Sequence, residues 1–262
     1  MSDWVTGELP PYPAKLYRAL HTGNPGDVAF YRRACAGARS VLELGCGDAR
    51  VLTGLDPRAH ERIVGLELHP GLLEYARRAV ARRPKGDTPI ELVEADMSAP
   101  PESLGLFDRV IVPHGGLYCL LEPDALARTL RAAFERLRPG GRFVLDVWAA
   151  DDFHQSYDPE DQEDTWMDHH GQFEIEGETW EIVERSVWRP ERQRMDVTYV
   201  HVKVGETEAT ECVLPQRYFL RAEVESVLNA VGFARVEVHG DFEGRPYDGD
   251  SELMVVTAHK AS

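Results

Sequence analysis

Gly45 and Gly47 stand in Val41-Leu-Glu-Leu-Gly-Cys-Gly-Asp48, and Glu67 follows Gly45 by 22 positions. Paired glycines strip side chains from a tight turn, so the backbone can approach a bound group and aim N–H donors at it. A carboxylate at the end of the following strand can accept both hydroxyls of a ribose. Glu43 and Asp48 flank the turn, and Arg50 stands where a dinucleotide fingerprint has its third glycine. These carboxylates oppose a pyrophosphate and suit an ammonium or a sulfonium. Asp96-Met97 adds a carboxylate able to accept from an adenine amino group and an apolar side chain to cover the ring. The implied ligand is a nucleoside with a cationic tail.

Other residues could act on a second molecule. His114 follows an apolar run, and its ordinary pKa of ~6.5 suits proton transfer near neutrality. Its alternative role is to shape the pocket or bond the cofactor. Tyr17 and Tyr118 can accept hydrogen bonds or offer a ring face to a cation, or they can anchor the core. Arg217, with Tyr218 beside it, can hold a substrate carboxylate bidentately or pair with nearby acids. His169-His170 next to Asp168 invites a metal reading, but no third ligand stands at helix or hairpin spacing, so a solvated acidic loop and no metal are expected. Trp166, Trp180 and Trp188 can wall a lid or build a local core.

The elements that must position these groups follow from periodicity. Apolar, β-branched runs at 40–45, 62–67, 90–96, 107–112 and 142–148 read as buried strands, and helices are expected at 14–20, 27–37, 70–83 and 123–138. Strands alternating with helices imply a parallel, doubly wound sheet. Residues 149–214 break that alternation. An acidic stretch from Asp151 to Asp164 leads into runs at 179–188 and 195–204 with the period of antiparallel strands. The core pattern resumes with a helix at 221–231 and strands at 234–239 and 252–258.

Val41-Leu-Glu-Leu-Gly-Cys-Gly-Asp-Ala-Arg50, Glu67-Leu68, Ala95-Asp96-Met97, Phe107-Asp108 and Leu137-Arg-Pro-Gly-Gly-Arg-Phe143 together resemble the successive motifs of class I S-adenosylmethionine-dependent methyltransferases. The resemblance spans roughly 38–148 and resumes at 217–258. It implies S-adenosyl-L-methionine as cofactor, with Glu43 and the Gly45-Cys46-Gly47 loop at the methionine part, Glu67-Leu68 at the ribose and Asp96-Met97 at the adenine. Pro113-His114 would line the cofactor on the side facing the substrate. A looser likeness at 17–27 and 216–242 to amino-sugar and glycine-type N-methyltransferases implies that Tyr17 reaches the sulfonium. The Asn/Asp-Pro-Pro-Tyr/Phe signature of amino-methylating nucleic-acid and glutamine enzymes is replaced by Val112-Pro113-His114-Gly115.

The resulting expectation is an α/β, Rossmann-like, mostly parallel seven-stranded sheet with an antiparallel edge strand and an inserted antiparallel β lid after the fifth strand. Residues 1–148 and 215–262 would form the core, 1–37 its helical cap, and 149–214 the acidic lid or substrate subdomain. His114, Tyr17 and Tyr118 are the catalytic candidates, and Tyr118, Arg217 and Tyr218 the acceptor-binding ones.

Whole-chain composition constrains the partners. The 262 residues carry 45 acidic and 29 basic side chains, a formal charge of −16. A chain this acidic repels nucleic acid and anionic lipid. No apolar run approaches the ~20 residues of a membrane span, and the first residues lack a signal core. A cytoplasmic protein with reduced cysteines (Cys35, Cys46, Cys119, Cys212) is expected. The acceptor is read as a small molecule, cationic or amine-bearing, with nitrogen preferred over oxygen. A peptide or protein acceptor, a non-catalytic cofactor-binding module and a nicotinamide-linked oxidoreductase remain as contrasts. The sequence does not set the oligomeric state.

Overall fold

Alternating apolar runs and helix signals assemble into two sheets. A computed structural model describes residues 12–122, 124–156 and 165–262, leaving the N-terminal end, residue 123 and part of the acidic stretch outside the described residues. The chain divides into two compact units, one drawn from 1–22 and 157–217, the other from 23–156 and 218–262.

The larger unit holds β1 (Ser40–Leu44), β2 (Arg62–Glu67), β3 (Ile90–Glu94), β4 (Phe107–Val112), β5 (Leu137–Trp148), β10 (Arg235–His239) and β11 (Leu253–His259) in one seven-stranded sheet, ordered β10-β11-β5-β4-β1-β2-β3. All pairings are parallel except those of β11, which runs antiparallel to both β5 and β10, one position in from the edge. The helices α2 (Asp27–Ala34), α3 (Arg50–Gly54), α4 (Pro70–Ala81), α5 (Ala125–Arg136), α6 (Asp151–Gln155) and α7 (Arg221–Val231) complete the unit.

Both sheet faces are apolar because both are covered. On one, Leu42, Leu44, Val110 and Val112 pack with Leu126 and Leu130 of α5 and Leu228 of α7. On the other, Val41, Ile63, Ile111 and Val144 pack with Tyr31 of α2, Leu52 of α3 and Ala76 of α4. Gly65 in β2 lets α3 come close: a side chain there would begin 2.6 Å from Leu52 Cδ1 and 2.7 Å from Cys46 Sγ. The helix after the glycine turn is only five residues long, ending at Gly54. β5 starts earlier than its apolar run, at Leu137, and absorbs Pro139-Gly140-Gly141 as an irregularity in its pairing with β4.

The smaller unit holds α1 (Ala14–Leu20) and a four-stranded antiparallel meander of β6 (Thr165–Ile175), β7 (Glu178–Arg189), β8 (Arg194–Lys203) and β9 (Ala209–Arg217). Tyr12 and Leu16 bury themselves among Ile175, Trp180, Ile182, Val197 and Tyr199. This packing places α1 with the meander, so the expected 1–37 cap is divided: only α2 lies with the seven-stranded sheet. Trp180 and Trp188 are buried, and Trp166 lies outside the residues whose side chains are described. His169 and His170 each bond a carboxylate of β7, Glu181 at 2.7 Å and Glu184 at 2.8 Å. No group of three or more His, Cys, Asp or Glu side chains able to hold a metal occurs among the described residues. No described helix is long and apolar enough to cross a membrane.

Candidate active site

The carboxyl ends of β1 and β4 meet where the strand order reverses, with β2 and β3 on one side and β5, β11 and β10 on the other. Ligands of open α/β sheets bind at such a switch point. From β1 the chain turns through Gly45 and Gly47, both left-handed at φ 72° and 55°. Its two chain neighbours apart, no atom of the described residues lies within 4 Å of the point where a Gly47 side chain would begin, while at Gly45 the Met97 methyl stands 2.9 Å from it. Met97, after β3, therefore lies against the glycine turn.

Two backbone donors fix this turn to β2, and a third, from beyond β2, orients Glu67. The Cys46 N–H donates to the Leu66 carbonyl at 2.7 Å. The Gly47 N–H donates to Glu67 Oε2 at 2.8 Å, and the His69 N–H to Oε1 at 2.7 Å. A carboxylate offers about four acceptor sites, so Glu67 is oriented by two and keeps two. Leu68 beside it is 61 % exposed. Asp96 is exposed, and its Oδ1 accepts the Ser98 N–H at 2.7 Å.

Polar groups gather behind the turn, on the face under α2 and α3. Glu43 is 3 % exposed, and among the described residues its Oε2 has no hydrogen-bond partner. Burial pushes its pKa well above the ordinary carboxylate value, with Arg50 acting against that rise. Arg50 Nη1 and Nη2 donate to Asp27 Oδ1 and Oδ2 at 2.8 and 2.5 Å, a bidentate pair joining α3 to α2.

Past β4, Pro113 is buried and His114 takes a left-handed conformation, φ 50°. Asp146 on β5 holds this turn. Its Oδ1 accepts the His114 N–H at 2.8 Å and the Tyr31 hydroxyl at 2.5 Å, its Oδ2 accepts from Asn24 Nδ2 at 3.2 Å, and its carbonyl accepts the Gly115 N–H at 3.0 Å. Burial lowers the His114 pKa below its ordinary value while Asp146 pulls it upward. Burial thus favours the neutral imidazole.

The Trp148 N–H donates to the Tyr118 hydroxyl at 2.5 Å, so Tyr118 braces the end of β5, and burial raises its pKa. Tyr218 is buried, its hydroxyl sharing a 2.8 Å hydrogen bond with His154 Nδ1 and its ring lying near Trp148 and Phe153. Tyr17 and Arg217 belong to the smaller unit. There Tyr17 lies against His21 with ring centres 4.2 Å apart and planes tilted by 36°, and Arg217 ends β9 opposite Arg194. The larger unit thus gathers Glu43, the Gly45–Gly47 turn, Glu67, Leu68, Asp96, Met97, Pro113 and His114 at the carboxyl ends of β1 to β4.

Residues 41–141 match a family model described as a methyltransferase domain. Among solved structures the chain is similar to the CcbJ methyltransferase of Streptomyces caelestis, at 26% identity over 95% of this chain and 96% of that one, with a TM-score of 0.77. Residues 41–141 are thus a methyltransferase domain, and the activity it carries is S-adenosylmethionine-dependent methyl transfer. The same fold appears in the sugar N-methyltransferase KedS8 of a Streptoalloteichus species (23% identity, 100% and 98% covered, TM-score 0.70). It appears again in CalS10 of Micromonospora echinaspora, described as an amino pentose methyltransferase (22% identity, 97% and 100% covered, TM-score 0.66). No curated protein matches the sequence.

Several polar residues of this methyltransferase escape sequence reasoning: Asn24, Asp27 with Arg50, Tyr31 and Asp146. A usable signal exists for Asp146, a carboxylate inside Phe143-Val-Leu-Asp-Val-Trp148. A charge in a buried strand needs several donors, which marks it as the centre of a network. Asp27 and Tyr31 are four apart on α2 and so share one face.

Proposed function

We propose that this methyltransferase acts on an amine nitrogen of a small molecule, with amino sugars the first class to test. The observation that carries the reading is the left-handed His114 turn, held by Asp146 so that a half-buried imidazole stands beside the strand switch. The sugar and amino-pentose acceptors named for KedS8 and CalS10 support the choice of class. The open space at Gly47 and the unpartnered Glu43 oxygen fit a bound cofactor. In this reading Glu43 and the Gly45–Gly47 turn face the methionine portion of S-adenosylmethionine, and Glu67 takes the ribose hydroxyls. Leu68 and Met97 cover the adenine, and Asp96 accepts from its amino group.

Bound S-adenosylmethionine supplies a methyl group on a sulfonium, whose positive charge passes to the acceptor in an in-line displacement. The chain's part is alignment and exclusion of water, and proximity alone is worth up to ~7–11 kcal/mol in favourable cases. The amine attacks only when neutral, and His114 takes the proton an ammonium must lose.

The test is turnover with methyl-labelled cofactor against pooled amino sugars, their hydroxyl counterparts and basic peptides. Label is expected in the amino sugars. Label confined to hydroxyl compounds or peptides overturns the acceptor assignment. Binding of S-adenosylhomocysteine without any transfer makes the chain a cofactor-binding module.

A further inference from the structure

The turn after β4 is built around a buried carboxylate with no solvent exposure. Asp146 collects donors from three segments: Asn24 before α2, Tyr31 within α2, and His114 after β4. Its backbone carbonyl takes a fourth from Gly115. Such a group costs free energy unless it is well satisfied, so the arrangement is selective: the side chain suits this turn and little else. The residue it holds most directly is strained. His114 has a positive φ without being glycine, a conformation that persists only when its surroundings impose it. Two hydrogen bonds from successive residues, His114 N–H to the side chain and Gly115 N–H to the carbonyl, impose it.

We propose that Asp146 is a positioning residue for methyl transfer, holding the left-handed His114 turn so that the imidazole meets the acceptor. The proposal rests on the reading that places His114 beside the acceptor. Asp146 acts through His114 and touches neither cofactor nor acceptor. Tyr31 is its partner, since it donates to the oxygen that also receives the His114 N–H.

The groups acting on the imidazole come from each neighbouring element: Asp146 from β5, Arg50 from α3 and Asp27 from α2. Arg50 lowers the His114 pKa and the two acids raise it. Arg50 and Asp27 are paired to each other. Burial pushes the pKa values of Glu43 of β1 and of Tyr31 upward. Burial raises the pKa of Asp146 itself while its donors from Tyr31 and His114 lower it, and the ionised carboxylate raises that of His114, so Asp146→Asn lowers the His114 pKa further.

Three variants separate the possibilities, each measured for S-adenosylhomocysteine affinity by calorimetry and for kcat across pH. Asp146→Asn keeps an acceptor oxygen for the His114 N–H but loses the charge. Its expected signature is an acid limb of the kcat profile moved to lower pH, with cofactor affinity within about threefold of the parent. Tyr31→Phe loses one donor with little change in volume, and kcat should drop three- to tenfold at unchanged affinity. His114→Gln should lose the acid limb. An unmoved acid limb in Asp146→Asn, or affinity falling in step with kcat in Tyr31→Phe, overturns the positioning role. A His114→Gln variant with parental kcat at every pH instead overturns the reading of His114 itself.

Discussion

Glu43 places a carboxyl where water does not reach. Its pKa stands well above the ordinary value because burial penalises the charged form. The folded protein therefore retains a proton that the unfolded chain releases. The sign follows: this contribution to stability is complete below about pH 4, the unfolded value, and is lost as pH rises through the raised folded value. Glu43→Gln keeps the shape and removes the titration. Melting curves should show the variant gaining on the parent from pH 5 to pH 8, by about 2–4 °C per kcal/mol for a chain of this size. A gap that does not change with pH would mean that the carboxyl ionises at no cost.

At the scale of elements, the site depends on how closely α3 lies on β2. Gly65→Ala puts a methyl group 2.6 Å from Leu52 Cδ1 and 2.7 Å from Cys46 Sγ. The expected loss is about 1–3 kcal/mol in denaturant melts, together with weaker S-adenosylhomocysteine binding, because Cys46 belongs to the glycine turn. Unchanged binding would show that the turn is set by its own hydrogen bonds alone. The parallel strands were legible in the sequence because burial on both faces makes them short, largely apolar runs, as at Val41-Leu-Glu-Leu44 and Val110-Ile-Val112. The strands β6 and β9 were not, since Asp168-His-His170 and Ala209-Thr-Glu-Cys212 mix polar groups into edge strands with no clean period. The left-handed turn at Gly45 and Gly47 was legible because local chemistry dictates it. Asp146 and Tyr31 were not, because their meaning lies in hydrogen bonds spanning more than a hundred residues. Tyr118 and Tyr218 show the converse: tyrosines that suit a pocket by type have hydroxyls already engaged, by Trp148 and by His154.

At the scale of the whole molecule, charge is unevenly spread. Residues 151–185 hold 13 acidic residues and one basic, most of the −16 net charge. A field of this sign concentrates cations and repels polyanions, and it is screened within about 10 Å at 0.1 M salt. The KM for an amine acceptor should therefore rise severalfold between 50 and 500 mM salt, while that for an uncharged analogue stays level. Equal behaviour of the two would reduce the acidity to a matter of solubility.

The antiparallel strand β11 has one more consequence, for the order in which the enzyme can be made. It lies between β5 and β10, supplying the ladder bonds on both sides. While a ribosome is still translating the stretch before Leu253, β5 has an open edge and β10 has no strand to pair with. The α/β sheet of this methyltransferase is therefore completed only once β11 has been made, and until then the open edge of β5 is a template for a foreign strand.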